Sequence, residues 1–591
     1  MRKRILFFAT LSIFLISASV VFAESGDENE GDSVMLESEM QKHKVAEEKL
    51  PVEIQMWEKR EQEKPKPVLP EGKVRVREIT VVGISVLSPR QIRDIIGSFY
   101  NRDLSGKEMQ RCADQITDWY NLNGFLTSYA YVEPARLNEG ILEIKCVEGK
   151  VGKVEIKGNR YFSENVYRDR IELKEGDVFN IKLLKNNIYR INKHIDRKVT
   201  PNVVSSSTPG VTDIGLSVKD KLPFHFMSQI DNYGSEYILY TRYKGFLIFN
   251  NLTGHDDSLQ YKIQLTEAGA HTLTDFDYFL PLNNTWKWEF YIMPYKKEVY
   301  YYATNEEMDF EKHAFKWYTY LYQTVKSEPN QELVLNYGLV YKFINWYAYQ
   351  GRMAQDHFVA ALSGFDYVRK DDYGTWVFNE DLEKGIPNVW SASSAKDDRC
   401  SVKGSGSKYF KEKLAVARRQ KLVWDTDLLL KVTGQYSTQA LTGVNVFSVG
   451  GYMGVIDNRG YPRASLPADS GYYVMLGFAI PPYFLPKNYV LPGTKTPVYN
   501  NLRILPFYEI GVAYKRSPQT AVDKAGGVDP ETSGKTDDRK LGSLKSAGIG
   551  WSWNIPEQRL QMRMDVGFPL GHTVPKDGKR THIVYSITKM F

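Results

Sequence analysis

From Phe224 to the C-terminus, apolar and polar side chains alternate residue by residue in short segments separated by turn-rich stretches. Trp286, Trp288, Phe290 and Ile292 interleave with Lys287, Glu289 and Tyr291. Leu560, Met562, Met564, Val566 and Phe568 interleave with Gln561, Arg563, Asp565 and Gly567. A period of two sends the two sets to opposite faces of a β-strand. The segments run to about ten residues, the length a tilted strand needs to cross a bilayer. No segment past the N-terminal leader approaches the ~20 apolar residues of a membrane helix. A β-sandwich alternates too, so alternation alone leaves barrel and sandwich open.

The first residues bear on that choice. Arg2, Lys3 and Arg4, the apolar run Ile5 to Val21, and Val21-Phe22-Ala23 predict a signal peptide over 1–23. An uncleaved anchor is the alternative, but Glu24 onward is abruptly acidic and polar. With export, strands of spanning length and Phe591 at the end, the pattern predicts an outer-membrane barrel. Composition agrees: 39 tyrosines and 11 tryptophans accompany a mean hydropathy of −0.41, as a polar lumen inside an aromatic-rich wall requires. A soluble β-rich protein with surface tyrosines has the same composition. The net charge of +6 is too small and dispersed for nucleic-acid binding. Of three cysteines, Cys112 and Cys146 fall in one domain and can pair in an oxidising compartment or simply be buried. Cys400 lies in a polar loop.

Residues 24–72 are charged and end in Pro65, Pro67 and Pro70. Val52 to Lys64 can form a helix, followed by an extended linker; a plain disordered spacer is the alternative. From Lys73 a β-α-α-β-β unit follows: a strand from Val74, a helix from Ser88-Pro89 to Phe99, a helix from Ser105 to Asn121, and strands Phe125 to Val132 and Gly140 to Val147. Met109, Cys112, Ile116 and Tyr120 sit at helical spacing on the second helix. The order recurs from Gly152, with strand Val154 to Ile156, helices Ser163 to Ile171 and Ile181 to Asn192, and strands Val199 to Ser205 and Val211 to Lys219. Two copies of about 75 residues make an internal repeat. Both resemble POTRA domains, the second through Val-Glu-Ile-Lys-Gly-Asn at 154–159 and the later Gly176. The first spans 73–149, the second 150–222, and the barrel 223–591. A sheet edge beside a helix can take up an extended polypeptide through main-chain hydrogen bonds. Phe125, Leu126, Tyr129 and Tyr131 are the candidate edge; a passive spacer is the plain alternative.

The remaining signals lie between Phe447 and Gly511. Phe447-Ser448-Val449-Gly450-Gly451 leads to Asn458-Arg459-Gly460-Tyr461, and later comes Phe507-Tyr508-Glu509-Ile510-Gly511. An arginine on a long loop and a carboxylate on a barrel strand invite a charge-assisted hydrogen bond if the loop folds inward. Otherwise Arg459 caps a turn and Glu509 faces water. The combination resembles the TpsB transporters of two-partner secretion, the FhaC/ShlB/HecB haemolysin secretion and activation family. The resemblance implies an arginine loop folded into the barrel and paired with the acidic residue of Phe-x-Asp-x-Gly. Here that residue is Glu509 rather than Asp, and the interval from Gly451 to Arg459 is longer than usual. Asp231-Asn232-Tyr233-Gly234 and Asn251-Leu252-Thr253-Gly254-His255-Asp256-Asp257 resemble the same family's barrel entry. The C-terminal strand places Ile583, Tyr585 and Ile587 in phase with Phe591, with Lys589 interrupting that face.

Two polar stretches, Lys370 to Lys413 and Lys515 to Leu541, predict extracellular loops. His255 with Asp256 and Asp257 is a poor cation site and a good turn. Gly534-Lys535-Thr536 lacks the earlier glycine, strand and helix of a phosphate-binding loop. No metal or cofactor motif is present, and an enzyme is not indicated. The resemblance implies about sixteen strands, a plug helix in the N-terminal segment, and export of a large haemolysin- or adhesin-like exoprotein. It further implies contacts with outer-membrane lipid and lipopolysaccharide, and with the barrel-assembly machinery during biogenesis. An assembly factor of the BamA/TamA type is the alternative. It shares the arginine loop but generally carries three or more POTRA domains.

Overall fold

The computed structural model describes residues 55–56, 67–235, 239–301, 307–348, 351–393, 399–402, 405–442, 445–451, 458–515, 539–571 and 573–591. The predicted signal peptide and the Gly534-Lys535-Thr536 stretch lie outside them. Contacts divide the chain into two units, one holding the repeats and one the barrel.

In the first unit, β1 is Gln55–Met56, followed by β2 (Val74–Val76), β3 (Glu78–Val82), α1 (Pro89–Ile96), β4 (Arg102–Leu104), α2 (Gly106–Leu122), β5 (Tyr129–Glu133) and β6 (Ile141–Val147). The second copy holds β7 (Lys150–Lys157), α3 (Glu164–Arg168), α4 (Ile181–Asn192), β8 (Arg197–Ser205) and β9 (Val211–Asp220). Capping boxes start α1 at Ser88 with Gln91 and α2 at Ser105 with Glu108, each satisfying backbone N–H groups that would otherwise lack partners. The α2 stripe Met109, Cys112, Ile116 and Tyr120 is fully buried. The two sheets share one topology: the opening strand (β3 or β7) pairs parallel with the last (β6 or β9), and the last pairs antiparallel with the strand before it (β5 or β8).

Three expectations need correction. The strand predicted from Phe125 begins at Tyr129. Phe125 stacks on Trp119 at 6.0 Å, and Leu126 packs into the second copy's core. The chain must turn there, because Ile181 N donates to Gly124 O at 2.9 Å and docks the N-terminus of α4. The helix predicted over Val52 to Lys64 is absent where the chain is described. Gln55–Met56 runs parallel to β8, so the open sheet edge outweighs local helical preference. The stretch Lys370 to Lys413 is not one loop: Gly374–Gly385 is a strand, and only residues 386–409 join it to the next. Trp376 and Phe378 alternate with inward residues there, a pattern hidden by the charges around it.

Cys112 and Cys146 are free thiols in the same core. Burial pushes both up to about 12, so at about pH 8 they are protonated and shielded. Maleimide is expected to modify half-buried Cys400 in the native protein, and Cys112 and Cys146 only after unfolding, as read by mass spectrometry. Native-state labelling of either core thiol would overturn this.

The barrel comprises β10 (Phe224–Asp231), β11 (Arg242–Asn250), β12 (Ser258–Thr266), β13 (His271–Pro281), β14 (Trp286–Tyr301), β15 (Glu307–Glu328), β16 (Gln331–Ala348), β17 (Gly351–Asp371), β18 (Gly374–Gly385), β19 (Phe410–Lys421) and β20 (Asp427–Ser437). Two short strands, β21 (Phe447–Val449) and β22 (Leu466–Ala468), pair with each other within the connection that follows. The wall resumes with β23 (Ser470–Ala479), β24 (Leu502–Lys515), β25 (Arg539–Ile555), β26 (Leu560–Leu570) and β27 (His582–Met590). Sixteen antiparallel strands close in sequence order, with β10 against β27. Closure removes the unpaired edges.

Burial is inverted relative to a soluble protein, which excludes the sandwich. Inward-facing Asp231, Arg242, Lys262, Asp275, Glu289 and Asp565 are buried, whereas Leu339, Leu476, Phe568 and Ile583 face outward and are exposed. A polar interior inside an apolar belt is the pattern a lipid-embedded barrel needs. Cross-strand partners in register neutralise the interior: Arg242 meets Asp231 at 2.6 Å and Lys262 meets Asp275 at 3.2 Å.

Candidate functional site

The connection from β20 to β23 turns inward on glycine. Gly450 and Gly451 have positive φ (119° and 77°), and a Cβ at Gly451 would stand 2.5 Å from the Arg463 backbone. No other residue type fits this turn. Gly451 N donates to Asn458 O at 3.2 Å, and Asn458 Nδ2 donates to Leu544 O on β25 at 3.0 Å. The chain therefore reaches Arg459 already pinned to the wall. Gly460 and Gly567 let the backbones touch: a Cβ on either would approach opposing backbone atoms to 2.7 and 2.4 Å. Tyr461 OH then donates at 3.3 Å to the carbonyls of Leu570 and Thr573.

Arg459 is buried among β24, β25 and β26. Its Nε donates to Glu509 Oε1 at 2.8 Å and its backbone N to Glu509 Oε2 at 2.9 Å. A terminal guanidinium nitrogen lies 2.7 Å from Glu509 Oε1, and the other 3.1 Å from Asp565 Oδ1. The guanidinium stands 3.5 Å over the Phe507 ring, a cation–π contact strengthened by exclusion of water. Tyr473 OH at 2.9 Å and Ser546 Oγ at 2.8 Å complete the donors to Glu509. Arg563 Nε donates to Asp565 at 2.8 Å. Two cations face two anions, so the site carries no net charge. Burial without that balance would cost several kcal/mol per ion, an order-of-magnitude figure. Gly511 lies against Val449, leaving no room for a side chain.

The structure thus brings together Gly450, Gly451, Asn458, Arg459, Gly460, Tyr461, Phe507, Glu509 and Gly511. Neither departure from the family pattern prevents the pairing. Asp565, Ser546 and Tyr473 were missed, although Asp565 stood on the polar face of an alternating strand. An acid there had no visible partner in the sequence, because the partner comes from a loop about 100 residues away.

Asp231 and Asn232 have separate tasks. Asp231 accepts from Arg242, from Gln229 at 2.7 Å and from Tyr233 N at 3.0 Å. Asn232 joins the first strand to the last: its Nδ2 donates to Ile583 O at 2.7 Å, and its Oδ1 accepts from Tyr585 N at 2.8 Å. Phe591 stacks on Phe226 at 5.3 Å, with Lys589 over its ring at 5.5 Å. Asp257 is held by Thr253 N at 2.9 Å and Tyr278 OH at 3.0 Å, a closed turn. Among the described residues no acid, histidine and cysteine cluster fits a metal. Tyr129 and Tyr131 lie on β5, the outer strand of the sheet ordered β3-β6-β5, away from Phe125 and Leu126.

A closed barrel with a latched inner loop, preceded by two such α+β domains, defines the class of POTRA-bearing outer-membrane transporters. Residues 210–495 match the model of the haemolysin secretion/activation protein ShlB/FhaC/HecB. Residues 74–149 match the ShlB-type POTRA domain, and 149–218 match the POTRA surface antigen variable number repeat. Over these stretches the chain is similar to the ShlB/FhaC/HecB family, and the matches place it in the outer membrane with its POTRA domains in the periplasm. It is 21% identical to the outer membrane transporter CdiB of Escherichia coli O6:K15:H31 over 68% of each chain. It is 24% identical to CdiB of Dickeya dadantii over 31% of this chain, and that match spans 32% of the relative. The solved CdiB from Escherichia coli superposes with a TM-score of 0.73 at 17% identity, over 96% of this chain and 99% of that one.

Proposed function

We propose that this chain is the translocation pore of a two-partner secretion system. Its POTRA domains capture one unfolded exoprotein of the haemolysin or adhesin type, and the barrel passes it to the cell surface. The observation that carries this reading is the pair of POTRA domains ahead of the closed barrel, and the loop held inside the lumen by Arg459, Glu509 and Asp565 supports a protein channel. Such a loop shapes a channel for an extended chain. The β5 edge supports capture, since main-chain pairing holds a client extended without demanding its sequence. Folding of the client outside biases its passage. Outer-membrane lipid and lipopolysaccharide surround the wall, and the barrel-assembly machinery inserts it. The boundaries given above, with a signal peptide over 1–23, belong to the same proposal. Two POTRA domains favour secretion over barrel assembly.

Quantitative proteomics of supernatant, cell surface and outer membrane, with and without the gene, tests this reading. Loss of one or a few very large exported proteins with other barrels unchanged supports it; a broad fall in outer-membrane barrels establishes an assembly factor instead. For the edge, a photo-crosslinking residue at Tyr131 is expected to trap the client during export, while one at exposed Arg93 on α1 does not. Equal trapping at both positions would remove β5 from the mechanism.

A further inference from the structure

The outer face of the wall carries a flap. Strands β14, β15, β16 and β17 hold 16, 22, 18 and 21 residues, whereas a span needs about ten. The periplasmic domains precede β10, so in antiparallel order β15 and β17 begin at the outer surface. Trp317 on β15 and Tyr341 on β16 stand about ten residues from the periplasmic ends of their strands, at the outer boundary of the bilayer. They pair in register and stack at 6.1 Å. Beside them His357 on β17 meets Phe343 at 4.1 Å. All four share the outward face of Leu339.

On leaving β18 the chain folds back over this face. Ile386 N donates to Val359 O at 2.8 Å, and Ser393 N to His357 O at 3.0 Å. Val359, outward in register with Tyr341, is 2% exposed. The turn between closes with Ala392 N donating to Val389 O at 2.8 Å, and Trp390 at its tip lies 5.8 Å from Trp317. Asn388, Trp390 and Ser391 have φ of 63°, 46° and 63°, a region that bulky residues enter only when the surroundings enforce it. A ring placed there to fill a core would be buried, yet Trp390 is 57% exposed. Two exposed cations share the outward face: Arg352, opposite Tyr347 near the outer end of β17, and Lys384, just before the flap.

We propose that residues 386–393 and this aromatic row form a site for lipopolysaccharide, whose head is a phosphorylated glucosamine disaccharide carrying acyl chains. The apolar face of a sugar ring packs on Trp390, and the acyl chains follow the wall past Trp317 and Tyr341. Arg352 and Lys384 meet the phosphates. A glycerophospholipid brings phosphate and acyl chains without a sugar ring, so the flap discriminates against it.

The inference rests on the outer-membrane placement and not on the secretion reading. Full-length protein stripped of lipid in detergent is titrated with deep-rough lipopolysaccharide or with dioleoylphosphatidylglycerol, and bound lipid is counted by native mass spectrometry. The unaltered protein is expected to retain lipopolysaccharide selectively. Trp390→Gly is expected to bind it about threefold to tenfold more weakly, the weight of one aromatic contact. Glycine takes a positive φ freely, so heat-modifiable mobility should show this variant fully folded. Arg352→Gln combined with Lys384→Gln is expected to bind more weakly at low salt, with a shallower salt dependence. Equal retention of both lipids by the unaltered protein, or unchanged affinity in folded Trp390→Gly, would overturn the site. Should Trp390→Gly not fold, lipid selectivity and the salt dependence of the charge variant decide. Selective binding with no exoprotein lost on gene deletion would uphold the site and reject the secretion reading.

Discussion

Arg459→Ala is expected to insert normally into the outer membrane and to lose most exoprotein secretion, on the order of tenfold or more. The physical reason is the balance at the latch. Removing the guanidinium leaves Glu509 and Asp565 buried with Arg563 as the nearby cation, and an unbalanced buried charge costs about 3–5 kcal/mol. The loop can relieve that cost by leaving the wall, which the barrel strands cannot. The defect therefore falls on the channel and spares the fold. Arg459→Lys keeps the charge but loses the planar fork that meets two carboxylates, so an intermediate defect is expected. Secreted client in the medium and heat-modifiable mobility separate the two effects. Normal secretion by Arg459→Ala would remove the latch from the mechanism.

The second large effect lies at the start of the barrel and falls on stability. Asp231→Ala leaves Arg242 and Lys244 buried without this carboxylate, and loss of about 3–5 kcal/mol is expected. The midpoint of heat-induced mobility change should fall, and the amount of folded barrel with it. A variant that also carries Arg242→Gln is expected to recover part of the loss, because the cation that met Asp231 has gone with it. Failure of that double variant to exceed Asp231→Ala would show that shape, not charge, sets the requirement.

Much of this was legible in the chain because it depends on local periodicity. The alternation at Trp286–Ile292 and Leu560–Phe568 placed wall and lumen faces correctly. The caps at Ser88 and Ser105 and the apolar stripe of α2 placed two helices. The Arg459 and Glu509 motifs were found through a family resemblance; residue types alone left a solvated turn as the plainer reading. What failed were the places where a distant segment overrules a local preference. Phe125 and Leu126 carry strand character, yet docking of α4 turns them into a bend. Gln55 and Met56 lie in a helical pattern, yet an open β8 edge pairs them.

Side-chain type and spacing by themselves determined that this chain forms two small α+β repeats and a wall of spanning strands. Those outcomes follow from which face of each element is apolar, and that is written residue by residue. Only the tertiary structure decided which buried polar groups meet inside the barrel. The partner of Asp565 is Arg459, and the partner of Asn445 is Lys342. Both pairs join loop to wall across roughly a hundred residues of sequence. Their selection rests on the closed ring, which excludes water and brings distant strands to a single lumen.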